Sequence, residues 1–212
     1  MSVKHSLPHW NYYRLLEQDL EDSFRYVHFC RDHFDVYSDH FARIILTAAT
    51  EIENVLYDFA VWSKYTPTPK NIVQHFDSVT ARFPSLPTMQ MVMPRYSLML
   101  TPFEGWSSGA SPEWWSKGYN KIKHERTHHP DAPKLIYATR AVAALQVILL
   151  HYYRVKFGAC TMPAELMPRL FHPWDIEDQN HGAFIGWEWE LPDEKLEREQ
   201  GESEQGAAPN PA

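Results

Sequence analysis

The sequence predicts an all-α protein: an antiparallel helical bundle of four principal helices, with a Pro-rich loop insertion and an irregular C-terminal wrap. Three observations predict it. Several long stretches carry apolar residues three and four apart, the spacing that lines one side of a helix. Prolines and capping residues fall between those stretches rather than inside them. The longest apolar run, "AVAALQVILL" at 141–150, contains Gln146 and is bracketed by Arg140 and His151, so it reads as a buried helix too short to span a bilayer.

The first helix is expected over about residues 12–29. Leu16, Leu20, Phe24 and Val27 face inward, and Glu17, Asp19, Glu21 and Asp22 lie on the other side. Ser38 is a good N-cap for a second helix over about 39–63, with Tyr37 before it as a hydrophobic staple. Its stripe is Phe41, Ile44, Ile45, Ala48, Ile52, Val55, Leu56 and Phe59. "TPTP" at 66–69 stops it. Thr68 as cap and Pro69 as first residue then start a shorter helix over about 70–82, with Ile72, Phe76 and Val79 inward.

Pro84, Pro87, Pro94 and Pro102 forbid a long helix over 84–111, an insertion in which "MQMVM" and "YSLML" can form a hairpin. Ser111-Pro112-Glu113 is a helix start: a cap, a proline at the first position and an acid in the first turn. In the helix "EWWSKGYNKIKHER" that follows, Trp115, Gly118, Tyr119, Ile122 and Arg126 share one face. Lys117, Asn120, Lys121 and His124 share the adjacent one. The last long helix covers about 133–157, and the proline-rich residues 160–192 wrap the bundle.

The chain is organised as one domain over 1–190 and a disordered acidic tail over 191–212. The net charge of −7 is unevenly placed, since residues 188–212 carry eight acids against Lys195 and Arg198. An acidic total therefore describes a tail and leaves a near-neutral body, which does not exclude RNA as a partner. Cys30 and Cys160 form no disulfide framework, and "MSVKHSLPHWNYY" has no apolar core of a secretory signal. The expectation is a soluble cytoplasmic protein with no membrane contact.

"KHERTHHP" at 123–130 spells H-E-x-x-H through His124, Glu125 and His128. In zinc hydrolases that string works because two His one helical turn apart bind one metal while the Glu activates its water. Here His128 is followed by His129 and Pro130, which fray the helix where the second ligand must be held. The string is also dense in charge, with Lys121, Lys123, Glu125 and Arg126, whereas a zinc-binding helix is mostly buried. A zinc hydrolase is the third reading, and no residue is assigned to a metal.

The same stretch supports a different chemistry. Asn120 and His124 are one turn apart, so the amide can orient the imidazole. Lys117, Lys121, Lys123, Arg126 and Lys134 gather positive charge around a group that titrates near neutrality. A titratable His among phosphate-binding cations is what general acid–base cleavage of RNA needs. Glu51 and Glu53 sit mid-helix beside apolar neighbours. An inward carboxylate would pair with His124 or Arg126, and Glu51 suits that place better than Glu53, which is expected to face outward.

"EWWSKGYNKIKHER", then "KLIYATRAVAALQVILLHYY", resembles the Tyr-Asn-x-x-Lys-His-x-Arg helix and long apolar helix of bacterial HEPN-like proteins. "YSDHFARIILTAATEIENVLYDF" fits their Ser-capped, Glu-containing helix. The resemblance covers residues 12–157 loosely and 113–153 more closely. It implies a helical bundle, a homodimer, no cofactor, and in many members metal-independent endoribonuclease activity from an Arg, four to six residues, then His. It places His124 at the motif His, Asn120 at the polar position and Tyr119 where the Arg belongs. Tyr lacks the bidentate phosphate fork of Arg, and Arg126 or Lys123 would have to substitute. The resemblance leaves two readings open: RNA or nucleotide binding with possible cleavage through Asn120, His124 and Arg126, or an inactive scaffold for a protein partner.

Overall fold

The computed structural model describes residues 7–62, 64, 66, 68–157, 161–162, 167–173 and 187–188. Its helices are α1 (Pro8–Ser23), α2 (Asp39–Trp62), α3 (Ile72–Thr80), α4 (Asn120–Glu125) and α5 (Leu135–Phe157), with a π-helical segment, Trp114–Tyr119, leading into α4. Its strands are β1 (Met91–Met93), β2 (Leu98–Leu100), β3 (Thr161–Met162), β4 (His172–Pro173) and β5 (Trp187–Glu188). The fold is therefore mostly helical with a small three-stranded sheet, which the all-α expectation did not include. The acidic tail of 191–212 and most of the 160–192 wrap lie outside the described residues.

α1 starts four residues earlier than expected, with Pro8 in the first turn. Leu7 offers no side-chain cap, and the Tyr153 hydroxyl on α5 instead accepts the Trp10 N–H at 3.2 Å. The helix also stops early, at Ser23, whose hydroxyl donates to the Leu20 carbonyl at 2.6 Å. Beyond it Phe24 and Phe29 turn into an aromatic cluster with Tyr96.

Ser38 caps α2 as its sequence position implies, accepting the Phe41 N–H at 3.1 Å. The 24 residues of α2 span about 36 Å. α3 is capped by Asn71, which accepts the Gln74 N–H at 3.0 Å, so the helix begins later than the Thr68–Pro69 signal suggested. Ile72 and Val79 are buried there together with His75.

The directions of the helices correct the antiparallel expectation for the two longest. Asp19 lies beside His40 and Arg43 while His9 pairs with Glu51, so α1 runs against α2. Tyr37 bridges Lys134 at one end of α2 and α5, and Asp58 meets Tyr152 at the other, so these two helices run parallel and in register. The chain between them carries α3, the insertion and a descending α4, which returns it to the starting end before α5 begins. Residues 141–150 are buried on every side, as a central helix requires. α5 is long and apolar enough over Leu135–Lys156 to cross a membrane by length and composition, yet 89% of its apolar window is buried within the fold.

The expected hairpin forms. β1 and β2 pair antiparallel from Met91↔Leu100 to Met93↔Leu98, and Ser97 adopts the left-handed conformation in the turn (φ 48°). β4 pairs with the other edge of β1, and β3 pairs with β5. The segment reaching β4 is fastened by Glu17. That carboxylate, expected to face solvent, is 1% exposed. Its Oε1 accepts the Arg169 and Leu170 N–H groups at 2.8 Å each, and Arg14 pairs with its Oε2. The Tyr13 hydroxyl lies 3.0 Å from Glu17 Oε1 and 2.8 Å from Gln146 Oε1, while Gln146 Nε2 donates to the Phe171 carbonyl. Burial raises the Glu17 pKa, an effect opposed by the Leu170 N–H, Arg14 and the Arg169 N–H. Burial also pushes the Tyr13 hydroxyl well above its ordinary value.

Candidate functional site

Two tryptophans, Trp106 of the insertion and Trp114 of the π segment, set the position of that segment against α3. Trp106 Nε1 donates to the Ile72 carbonyl at 2.9 Å, and Trp114 Nε1 donates to the Pro102 carbonyl at 2.8 Å. The expected regular helix over 113–126 instead opens as a π-helix, in which the Asn120 N–H reaches back to the Trp115 carbonyl. Such wide turns recur at functional sites. Trp114, Trp115, Gly118 and Tyr119 are all buried by it. Gly118 permits a close approach, since a Cβ there would stand 3.2 Å from Tyr137 Cδ2.

Beside this turn lies an open groove of about 510 Å³ between α2, the start of α3 and α4. Of the residues singled out by sequence, Tyr119, Asn120, Lys123 and His124 line it together. Glu53, Lys70, Asn71, Gln74 and Ser111 complete its polar lining, and sequence reasoning assigned none of them to a site. Glu53 had one legible sign: it follows Ile52 and precedes Leu56 by three, at the margin of the α2 apolar stripe.

Glu53, rather than Glu51, is the carboxylate at this site. Its Oε2 accepts the Tyr119 hydroxyl at 3.1 Å, and that hydroxyl accepts Lys123 Nζ at 2.9 Å. The Lys123 ammonium also stands 4.9 Å from the Tyr119 ring centroid. The Tyr119 bond raises the Lys123 pKa against desolvation, with the neighbouring Glu53 carboxylate adding least. Glu51 instead meets His9 Nδ1 at 2.5 Å, pinning α1 to α2 and touching neither His124 nor Arg126.

The remaining predicted cations do not converge. Lys117 pairs with Glu113 at 2.7 Å, Lys121 with Glu125 at 2.8 Å, Lys134 with Asp35 at 2.7 Å and Arg126 with Asp39 at 2.6 Å. The basic cluster seen in one dimension is thus matched by acids in three, and Arg126 points away from the groove toward the start of α2. The H-E-x-x-H string is split by the end of α4 at Glu125, whose carboxylate is held by Lys121 and His129. Among the described residues no three His, Cys, Asp or Glu side chains gather as a metal would require.

Chemically, the groove offers two ammonium groups, an imidazole, three carboxamides and two hydroxyls, with one carboxylate on its wall. Its aromatic floor is closed: Trp115 and Tyr119 are each 3% exposed, which leaves no ring face for a base to stack on. No family model, no characterised protein and no solved structure matches the chain.

Proposed function

We propose that this chain is a HEPN-like helical protein, acting as a homodimer, that binds RNA or a nucleotide through the groove beside α4. The observation that carries the reading is the meeting of Asn120, Lys123 and His124 with Lys70 in one groove, at a size common for small-ligand sites. The ligand contact is a phosphate group held by the two lysines, with Asn120 and His124 donating hydrogen bonds. The reading stops at binding. Tyr119 occupies the place of the motif Arg and is committed to Glu53 and Lys123, and Arg126 is committed to Asp39.

Fluorescence anisotropy with a labelled single-stranded RNA tests it, in EDTA, on wild type, Lys123→Ala and His124→Ala. The expected result is binding that both variants weaken. The salt slope should be shallow, about −0.7 for each of one or two phosphates contacted. Wild-type affinity that neither substitution changes would refute the site, and intact RNA in the same samples separates binding from cleavage.

A second reading, an inactive scaffold for a protein partner, is favoured by the exposed apolar side chains Tyr57, Val61 and Trp62 on the last turns of α2. Sedimentation of wild type beside a Tyr57→Ser, Val61→Ser variant reports whether that face makes the homodimer.

A further inference from the structure

We infer that Glu53 is a specificity-determining residue: it lowers the groove from two net positive charges to one, and so curbs the advantage that a doubly charged phosphate monoester would otherwise hold over a singly charged phosphodiester. The inference rests on the reading that this groove takes a phosphate-bearing ligand.

The charge balance follows from the lining. Lys70 and Lys123 each contribute one positive charge and Glu53 one negative charge. The surroundings add little, because Lys117, Lys121 and Arg126 are each matched by an acid. The first turn of α3 is closed by its own side chains. Asn71 accepts the Gln74 N–H, and Gln74 Oε1 accepts the Lys70 N–H at 2.8 Å. The discriminating charge is therefore the side chain of Glu53.

Tyr119 makes that arrangement rigid. Its hydroxyl donates to Glu53 and accepts from Lys123, so the carboxylate and the ammonium are held one hydroxyl apart instead of collapsing into a direct ion pair. A phosphate that reaches Lys123 must then lie close to the Glu53 carboxylate. A diester brings one negative charge into that field. A monoester brings about 1.5 to 2 at pH 7, since its second pKa is about 6. Each ligand charge meets the carboxylate separately, so the repulsion scales with ligand charge.

The test is calorimetric titration of the full chain with a dinucleoside monophosphate and with a nucleoside 3′-monophosphate, at pH 7.5 and low salt. It uses wild type and Glu53→Gln, which keeps an acceptor for the Tyr119 hydroxyl. Wild type is expected to favour the monoester only modestly. In Glu53→Gln both ligands gain, and the monoester gains by about the square of the diester factor, for example about tenfold against about threefold. Wild type alone gives a second measurement. At pH 5.5 the monoester has lost most of its second charge, since its second pKa is about 6, so the preference should narrow. Equal gains for the two ligands in Glu53→Gln, or a preference unchanged at pH 5.5, would each overturn the inference while leaving the groove as a binding site. Binding of neither ligand by wild type and variant would overturn the binding reading and this one with it.

Discussion

Two Glu–Tyr pairs stand on different sides of the core and do opposite things. In one, Tyr13 and Glu17 are enclosed with Gln146; Glu17 Oε1 accepts backbone N–H groups of the returning segment and its Oε2 pairs with Arg14. In the other, Tyr119 and Glu53 open onto a groove, with Lys123 completing the set. The side-chain chemistry is nearly the same. What differs is the third partner and the access of water. A neutral amide with two backbone donors makes a buried clasp, whereas an ammonium beside solvent makes a charged wall that a ligand can reach. A Glu–Tyr contact alone does not reveal which role it serves.

The strongest way to break the comparison is at the clasp. Glu17→Ala leaves the Arg169 and Leu170 N–H groups and the Arg14 guanidinium without their acceptor. It is expected to cost about 3–5 kcal/mol, read by urea denaturation, and to speed proteolysis near residue 170. Glu17→Gln keeps an acceptor and should cost markedly less. The sign with pH is distinctive. Because burial raises the Glu17 pKa above 4.5, the folded state holds this proton more tightly than the unfolded chain. That contribution is present at low pH and lost as pH rises through the raised value, and Glu17→Gln should remove it.

A second buried group sharpens the contrast, because it is not satisfied. His75 is 5% exposed, its Nδ1 has no hydrogen-bond partner, and burial lowers its pKa to about 4. The unfolded chain therefore binds a proton between about pH 6.5 and pH 4 that the folded chain refuses, so stability falls as pH falls through that window. The full effect is about 3 kcal/mol. Urea midpoints across the window should flatten in His75→Leu. His172, whose pKa burial also lowers, leaves a residual slope of the same sign.

At the groove the stability effects are smaller and the binding effects larger. Tyr119→Phe removes the hydroxyl between Glu53 and Lys123 and should cost about 1 kcal/mol of stability. RNA affinity should fall at the same time, as Lys123 is released toward Glu53. The smallest effect is expected on the exposed face. Lys117→Ala or Lys121→Ala breaks one exposed ion pair and should leave stability nearly unchanged and RNA affinity within about twofold. A large loss of affinity in either would restore the whole basic face as the binding surface.

Local signals were legible where the deciding interactions are local. Ser38, Ser111-Pro112 and the α2 stripe identified helix starts and an inward face, and the two methionine- and leucine-bearing runs were read as a hairpin. Asn120, Lys123 and His124 line one groove because they lie within about one turn of a single helix. The errors fell on longer-range partners. Glu17 looked like a solvent residue because its acceptors' partners arrive from residues 169 and 170. Glu51 and Glu53 exchanged roles because His9 and Tyr119 reach α2 from different elements. The basic cluster dissolved for the same reason, with Asp35 and Asp39 far from Lys134 and Arg126 in sequence.

By itself, then, the sequence determined which segments are helical, which faces are apolar, and that one short helix carries Asn, Lys and His together, because periodicity and capping act within a few residues. Only the tertiary structure decided that α2 and α5 run parallel, that the helix opens with a π turn, and which acid neutralises which base. Those outcomes depend on Trp106 meeting Ile72, Trp114 meeting Pro102 and Glu53 meeting Tyr119 across the fold. Burial and pairing set the charge a site presents, and neither has a signature in the order of the residues alone.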